Sequence, residues 1–180
     1  IKSYMSKPLE VKVSKGNQLN ENIEHQYAIV KSSVKFESLK RVLDIEEGFR
    51  GIIFCRTRIK TQQLSDDLNK SGYQSEALHG DLSQAQRDRV MKRFKNHTLQ
   101  VLVSTDVAAR GIDVNDLTHV IHYALPDDPS YYTHRSGRTA RAGKKGISLS
   151  IITNRDMRKL DGIEKSLKLK IDKISIPSVE

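Results

Sequence analysis

Short runs of apolar residues alternate with amphipathic segments along most of this sequence. Runs such as GIIFC (51–55), LQVLVST (99–105) and GISLSII (146–152) are too short for buried helices and are typical of strands covered on both faces. Strands that alternate with helices at this spacing predict a parallel sheet flanked by helices on both faces. The predicted strands are 23–30, which we place at an edge, 51–55, 75–79, 99–105, 118–123 and 146–152.

The segments between these runs carry the signals that begin and end helices. Ser83 and Gln86 form an S-x-x-Q capping box at the start of one helix, and Pro129 lies in the first turn of another. We expect Thr61 to cap the helix after the GIIFC strand, and Asn154 to cap the last helix. The sequence therefore predicts helical connections between successive strands.

The composition fits one folded domain with a polyanionic partner. The chain has 180 residues, of which 37% are hydrophobic and 29% charged, which is typical of a globular domain. The 31 Lys and Arg residues exceed the 22 Asp and Glu residues and leave a net charge of +9. That charge favours a partner such as a nucleic acid but does not establish one by itself.

The sequence also excludes several kinds of site. Its single cysteine, Cys55, allows neither an internal disulfide nor a thiolate zinc cluster, so we predict no metal site and a cytoplasmic setting. No apolar run is long enough to cross a membrane. Neither a P-loop nor a G-x-G-x-x-G after a strand occurs. Because the chain begins with Ile1, we expect it to be a piece of a longer protein.

Polar motifs follow several of the predicted strands. RTR follows Cys55, HGD follows Leu78, STD follows Val103 and ALPDD follows Tyr123. The carboxyl ends of parallel strands share one edge of a sheet, and functional loops gather there. We therefore expect the chemistry of this chain at that edge.

The segment STDVAARGID has two interpretations. Thr105 can offer its hydroxyl and backbone N–H to a phosphate, while Asp113 accepts a hydrogen bond from a sugar hydroxyl. Thr105 and Asp106 can equally cap a short helix, with Asp113 ending a turn. Gln84 and Arg87 share one face of the preceding helix, where a solvated surface is the simpler interpretation. The local pattern leaves these alternatives open.

Three arginines lie three apart in HRSGRTARAG (134–143). If this segment is helical, Arg138 and Arg141 project side by side, and two guanidinium groups suit phosphate oxygens. Against a triphosphate they would stabilise the charge that develops during hydrolysis, as arginine fingers do. A solvated basic loop is the alternative. The pattern gives no role to Arg135.

Taken in order, four motifs resemble the C-terminal RecA-like domain of the DEAD-box RNA helicases of superfamily 2. They are GIIFCRTR, ALHGDLSQAQR, VLVSTDVAARGID and VIHYALPDDPSYYTHRSGRTARAG, and the resemblance runs from about Ile23 to about Ile152. It implies an α/β fold with three layers, in which helices flank a mainly parallel sheet on both faces. We place an interdomain linker at 1–20, the RecA-like domain at 21–168 and a C-terminal tail at 169–180.

The resemblance also implies site residues. In HRSGRTAR, Arg138 and Arg141 would reach the γ-phosphate of ATP, and His134 would couple the nucleotide site to the other domain. Asp113 would bind the ATP ribose, with Gly111 beside it. ATP and Mg²⁺ would be held mainly by an N-terminal RecA-like domain. The implied RNA-binding set is Thr105, Arg87, Gln84, Gly80, Arg56 and Thr57.

Two positions depart from the family pattern. Ser136 stands where an aliphatic residue is common, and Ala140 stands where glycine is usual. Neither change removes a charged group, so we expect the arginines to function. We expect Ser136 to loosen the packing of its helix.

These features predict the C-terminal half of an ATP-dependent RNA helicase. It would supply arginine fingers and part of the RNA-binding surface for ATP-driven local unwinding or remodelling of RNA duplexes. Its expected partners are RNA and the N-terminal RecA-like domain, without a membrane, and the isolated domain is expected to be an inactive monomer. The alternatives are a non-catalytic basic RNA-binding or scaffold domain with a helicase fold, and half of a superfamily 2 DNA translocase.

Overall fold

Seven parallel strands form one sheet in the computed structural model, which describes residues 21–112, 114 and 117–177. The predicted linker at 1–20 lies outside the described residues. The strands are β1 (Ile23–Ile29), β2 (Gly51–Phe54), β3 (Ser75–Leu78), β4 (Val101–Ser104), β5 (His119–His122), β6 (Gly146–Ile152) and β7 (Asp172–Lys173).

In the part of the chain that the structure describes, six helices connect or follow these strands. They are α1 (Lys35–Ile45), α2 (Arg58–Lys70), α3 (Gln84–Lys95), α4 (Asp106–Ala109), α5 (Pro129–Ser136) and α6 (Met157–Leu167). Short 3-10 turns at Ser32–Val34 and Asn154–Asp156 lead into α1 and α6. The predicted alternation of strands and helices is confirmed.

The strands lie in the spatial order β3-β4-β2-β5-β6-β1-β7. All pairings among them are parallel, and β1 pairs with β6 over its full length, from Ile23 opposite Gly146 to Ile29 opposite Ile152. Apolar side chains of successive strand residues point to opposite faces of the sheet, so each face needs its own cover of helices.

Helices cover both faces of the sheet. Helices α1 and α2 pack on one face, where Leu39 and Leu68 join Ile53 in one cluster. Helices α3 and α4 pack on the other face around Ile52. Helices α5 and α6 extend this second cover through Tyr132. The predicted three-layer α/β fold is therefore confirmed.

The C-terminal end of the described chain packs against the sheet. We predicted a tail over 169–180 and β1 at an edge, but Asp172 of β7 pairs with Gln26 of β1, so β1 is not the edge strand. Ile171 is buried, and the Ile174 N–H donates to the Tyr27 carbonyl at 2.8 Å. Apolar residues that recur along 169–176 pack on the domain, which explains why this segment continues the fold as far as Pro177.

The starts of three helices test the predicted caps. The capping box of Ser83 and Gln86 is confirmed, with hydrogen bonds in both directions at 2.8 and 3.2 Å. The predicted cap Thr61 is wrong, because α2 starts one turn earlier at Thr57, whose hydroxyl accepts from Lys60 N–H at 3.1 Å. Thr61 instead lies inside the helix and donates to the Thr57 carbonyl at 2.8 Å.

The cap before the last helix also lies one residue earlier than predicted, while α6 itself begins at Met157 after a 3-10 turn. Thr153, rather than Asn154, precedes the 3-10 turn and forms a capping box with Asp156. The Asp156 carboxylate accepts from Thr153 N–H at 2.9 Å. Both corrections have the same cause: a threonine within three residues of the end of a strand can cap the turn that leaves the sheet.

Within the described ranges, no helix is long and apolar enough to span a lipid bilayer.

Candidate functional site

The strand ends place the polar motifs beside one another. Cys55 N–H donates to the Ser104 carbonyl at 3.0 Å, and Tyr123 N–H donates to the Phe54 carbonyl at 3.1 Å. The segments that follow β2, β4 and β5 therefore leave the sheet side by side. The segment after β3 joins them, because Thr105 N–H contacts the Leu78 carbonyl at 3.4 Å. The segments that follow β2, β3, β4 and β5 therefore meet at one edge of the sheet, which we call the functional edge because the sequence predicts the chemistry there.

Arg135 joins the segment after β4 to the helix after β5. Its guanidinium Nε and Nη2 donate to the two carboxylate oxygens of Asp106 at 2.6 and 2.8 Å. Its Nη1 donates to the Ala124 carbonyl at 2.6 Å, and the side chain is only 2% exposed. A buried, two-pronged pair of this kind fixes the relative position of α4 and α5. The structure thus gives Arg135, which the sequence left without a role, a structural one.

A buried polar chain continues behind Arg135. Arg135 Nη1 lies 3.3 Å from His122 Nδ1, and His122 Nε2 lies 2.9 Å from Ser148 Oγ. Because a guanidinium can only donate, Nδ1 accepts and Nε2 carries the proton that faces Ser148. Burial first, and then the Arg135 charge, hold the pKa of His122 well below its usual value. His122 is therefore neutral at physiological pH.

Ser136 belongs to this chain and does not loosen its helix. It is fully buried, and its hydroxyl lies 2.8 Å from the Ser148 hydroxyl. Our expectation of looser packing was wrong, because the hydrogen bond to β6 replaces the contacts of an aliphatic side chain. A buried hydroxyl that finds such a partner avoids the cost of an unsatisfied polar group.

A second buried histidine, His25 of β1, also contacts α5. His25 Nδ1 lies 2.8 Å from the Tyr132 hydroxyl, and the Tyr132 ring stacks on His122 at a centroid distance of 4.6 Å. Burial lowers the pKa of His25 to about 4. Together these contacts join α5 to β1 and β5 beneath the functional edge.

A cavity of about 510 Å³ opens at the junction of α4 and α5. Tyr131 stands at its wall, with its hydroxyl 3.3 Å from Arg110 Nη2 and its ring edge-on to His134. Arg138 donates to the Ile112 carbonyl. Cationic and aromatic side chains therefore line a space large enough for part of a nucleotide. The lining residues are Phe54, Asp106, Ala109, Arg110, Tyr131, His134, Arg135 and Arg138.

Arg138 and Arg141 do not lie on a helix. Helix α5 ends at Ser136, and the chain turns through Ala140 and Ala142, both with φ of 57°. The helical arrangement that we considered for the two arginines is therefore wrong. Arg141 Nε donates to the Gly137 carbonyl at 3.3 Å, and its side chain is exposed. The left-handed backbone at 140 explains why glycine is usual there, since alanine pays a steric cost.

The two threonines of the predicted RNA-binding set both cap helices. Thr57 caps α2, and Thr105 Oγ1 accepts from Ala108 N–H at 3.3 Å to cap α4. Thr105 is mostly buried. The helix-cap interpretation of Thr105 therefore holds in the structure, although a cap at a helix N-terminus also leaves N–H donors near its hydroxyl.

Gln84 and Arg87 point to different neighbours. Gln84 donates to Asp88 Oδ1 at 2.8 Å on the surface of α3, while Arg87 Nη2 donates to the Ala108 carbonyl at 3.3 Å. Arg87 thus reaches from α3 to α4. Gly80 lies at the exposed end of β3, where an added Cβ would meet only Arg58 Cδ at 3.6 Å.

The arginines after β2 face carboxylates of neighbouring loops. Arg56 Nη2 lies 3.1 Å from Asp127 Oδ1, and Arg58 pairs with Asp81. Lys159 Nζ reaches the same Asp127 oxygen at 2.6 Å. Asp127 belongs to the ALPDD motif after β5, whereas Lys159 lies outside every motif, and the local sequence does not show that either meets Arg56.

The predicted ribose-binding pair is only half described. Asp113 lies outside the described residues, and Gly111 follows α4 with φ of 78°. The described residues hold no group of three or more His, Cys, Asp or Glu side chains that could bind a metal ion.

Comparison with known families matches the helicase conserved C-terminal domain to residues 34–143. Among curated proteins, the DEAD-box ATP-dependent RNA helicase CshA of Bacillus cereus is 42% identical over 98% of this chain, which covers 34% of that protein. CshA of Bacillus subtilis is 41% identical, and the chain covers 36% of it. The chain thus spans about a third of the length of these relatives.

Solved structures give the same result. A DEAD box protein of Methanococcus jannaschii superposes with a TM-score of 0.80 at 48% identity, covering 85% of this chain and 42% of that one. Escherichia coli SrmB bound to RraA superposes with a TM-score of 0.81 at 31% identity, and the match covers 89% of this chain and 98% of that one. Saccharomyces cerevisiae Dbp5 bound to RNA and ADP BeF3 superposes with a TM-score of 0.83 at 30% identity, and the match covers 88% of this chain and 43% of that one.

Proposed function

The chain belongs to the DEAD-box proteins, within the helicase conserved C-terminal domain family, and on this premise we propose that it is the C-terminal RecA-like half of an ATP-dependent RNA helicase. In this role it would not bind ATP alone. It would close on an N-terminal RecA-like domain, which holds most of the ATP and Mg²⁺, while RNA lies across both. The CshA relatives are ATP-dependent RNA helicases, and Dbp5 binds RNA with ADP BeF3.

The observation that supports this proposal most directly is the fork between Arg135 and Asp106. It ties α4, which follows Thr105, to α5, which carries His134. RNA bound at α4 would therefore be linked through this pair to α5, which the segment bearing Arg138 follows. A rigid link between two predicted binding segments suits a domain whose RNA and nucleotide contacts act together.

On the nucleotide side, bound ATP supplies a γ-phosphate whose transfer to water needs positive charge nearby. Arg138 lines the cavity between α4 and α5, and Arg141 follows it in the exposed turn. We assign both to the γ-phosphate, His134 to coupling with the other domain, and Gly111 with Asp113 to the ribose. The guanidinium groups of Arg110 and Arg138 line this cavity and can donate hydrogen bonds, which fits an anionic ligand.

On the RNA side, the surface over β2, β3 and β4 carries the remaining predicted residues. Arg56, Thr57 and Arg87 belong to segments that leave neighbouring strands at the functional edge. We propose that they contact the sugar-phosphate backbone together with Gln84, Gly80 and Thr105. Contacts of this kind position a strand and carry no base information. The bound strand would then be bent when the two domains close, which separates a few base pairs.

The test is RNA-stimulated ATP hydrolysis by the full-length protein. We expect Arg138→Ala or Arg141→Ala to lower the rate by about 10³- to 10⁵-fold, the range for arginine fingers. Arg155→Ala, an exposed arginine on the turn before α6, is the matched control and should leave the rate near normal. Near-normal hydrolysis in both finger variants would reject the finger assignment.

The chain by itself provides a second test. We expect no ATP turnover and weak, salt-sensitive RNA binding. Turnover by the purified chain would contradict a split site. Two results together would instead favour a non-catalytic RNA-binding domain. The full-length wild type would bind RNA without hydrolysing ATP, and the Arg138 and Arg141 variants would bind RNA equally well. Unwinding of DNA duplexes in preference to RNA would favour a DNA translocase.

A further inference from the structure

The Asp127 carboxylate lies between two cations from different parts of the fold. Arg56 Nη2, just after β2, is 3.1 Å from Asp127 Oδ1, and Lys159 Nζ, on α6, is 2.6 Å from the same oxygen. All three side chains keep contact with solvent, with exposed fractions of 55% for Arg56, 75% for Asp127 and 33% for Lys159. The two cations thus face one point on the functional edge.

The contact of Asp127 with Arg56 and Lys159 adds little to the stability of the fold, so another anion can replace the carboxylate. Ion pairs at an exposed surface contribute little, because water competes for the charges and long side chains lose freedom. The hydrogen bond from Lys159 and the charges of Lys159 and Arg56 lower the pKa of Asp127, so its carboxylate is ionised at neutral pH. Arg56 and Lys159 both donate to one carboxylate oxygen, and they could donate to a phosphate oxygen in the same arrangement.

We propose that Arg56 and Lys159 form a binding site for a backbone phosphate of RNA, and that the Asp127 carboxylate fills this site while RNA is absent. The inference rests on the proposed RNA-binding function and adds Lys159 of α6 to the interface. Arg56 is then shared between an internal anion and the RNA strand. Lys159 would bring α6, which none of the sequence motifs includes, to the path of the strand.

A neighbouring pair follows the same pattern. Arg58 pairs with Asp81, which belongs to the HGD segment after β3. Both arginines of RTR are therefore neutralised by acids from adjacent strand-end loops. A basic edge whose arginines already have internal partners is less attractive to arbitrary anions, and an RNA phosphate must replace a carboxylate to bind.

This exchange has a consequence for salt dependence. Single-stranded RNA releases about 0.7 counterions for each phosphate that a protein neutralises. When RNA replaces Asp127, the freed carboxylate attracts a cation from solution, which offsets part of that release. Removing the Asp127 charge should therefore both strengthen RNA binding and make it more sensitive to salt.

The first experiment measures binding of the chain to single-stranded oligouridine by fluorescence anisotropy at low and at physiological ionic strength. We expect Asp127→Asn to bind about two- to five-fold more tightly than the wild type at low salt, the range for exposed ion pairs. The slope of log Kd against log salt should steepen by up to about 0.7. Asp161→Asn, an exposed acid on α6, is the control for the same change in net charge.

The second experiment separates a direct role of Lys159 from an indirect one. Lys159→Gln should weaken binding more than Lys165→Gln, an exposed lysine of the same helix. The loss should persist in the Asp127→Asn background, because Lys159 contacts the phosphate itself. Asp127→Asn that behaves like Asp161→Asn, or Lys159→Gln that behaves like Lys165→Gln in that background, would overturn the inference.

Arg87→Gln distinguishes this inference from the proposed function. If Arg87→Gln weakens RNA binding while Asp127 and Lys159 variants match their controls, only the phosphate site is rejected. If the wild-type chain does not bind RNA at low salt, the RNA-binding function fails as well. The substituted side chains at 127, 159, 161 and 165 all keep contact with solvent, so thermal unfolding should show the same stability for each variant.

Discussion

Burial separates the three arginines of HRSGRTARAG into different roles. Arg135 is 2% exposed and is held by Asp106, the Ala124 carbonyl and His122, whereas Arg141 is exposed at the end of the segment. A charge in the interior is tolerated only when its partners replace the lost water. Arg135 therefore stabilises the site, while Arg138 and Arg141 lie where a ligand can meet them.

This contrast predicts different effects on stability. Arg135→Met leaves the Asp106 carboxylate without its partner, so we expect the free energy of unfolding to fall by about 3–5 kcal/mol in urea denaturation. Arg135→Lys should recover only part of this loss, because an ammonium cannot make the fork. Arg141→Met, the matched control, should unfold like the wild type. Equal stability of the two methionine variants would contradict the assigned role of Arg135.

At the scale of elements, threonines that follow strands begin the next helix. The hydroxyls of Thr57 after β2 and Thr105 after β4 each accept a hydrogen bond that closes the first turn. Thr153 after β6 instead donates its N–H and hydroxyl to the Asp156 carboxylate. These caps fix where α2 and α4 leave the sheet. They therefore also fix the positions of Arg58 and Asp106, the first residues of these helices. The caps thus help to place the segments of the functional edge.

Thr57 provides the test of this point. Thr57→Ala removes the acceptor for Lys60 N–H, and we expect a loss of about 1 kcal/mol in the free energy of unfolding. Thr57→Ser keeps the acceptor and should stay close to the wild type. If both variants unfold alike, the cap does not hold the start of α2. The RNA affinity of Thr57→Ser would show separately whether the hydroxyl at this position is sufficient for the proposed RNA contact.

At the scale of the whole molecule, polar groups run across one face of the sheet, beneath α5, from the site to β1. The chain of contacts runs from Arg135 through His122 to Tyr132 and His25. Both histidines are neutral in the fold because burial lowers the pKa of each. Protonation would place a charge in an interior that already holds a guanidinium.

Acid should therefore destabilise the domain through these histidines. The unfolded chain binds a proton at His25 near its usual pKa of 6.5, while the folded chain does so only near pH 4. The unfolded state thus binds more protons between these values, and stability falls as the pH drops from about 6.5 toward 4. At pH 5 we expect His25 to contribute a loss of about 1–2 kcal/mol relative to pH 7.5.

The measurement is urea denaturation at the two pH values. His25→Gln should reduce the difference between them, whereas His97→Asn, at an exposed position after α3, should leave it unchanged. An identical pH dependence in the wild type and in His25→Gln would show that His25 does not titrate as the structure indicates.

The sequence alone determined the order of elements from β1 to α6, the parallel sheet and the edge that carries the motifs, but it missed β7. These features follow from local signals: apolar runs specify strands, capping residues specify helix starts, and parallel strands always present their carboxyl ends together. The errors were also local. The caps at Thr61 and Asn154 were misplaced by one turn or less, because a threonine at the strand end competes for the same role.

Only the tertiary structure decided which charged side chains meet. Arg135 and Asp106 are 29 positions apart, and Arg56 and Asp127 are 71 apart. His25 and Tyr132 are 107 apart. The strand order β3-β4-β2-β5-β6-β1-β7 differs from the order along the chain, so crossover connections bring distant segments together. Whether an arginine binds a ligand or the protein itself depends on burial and distance, which local pattern does not contain.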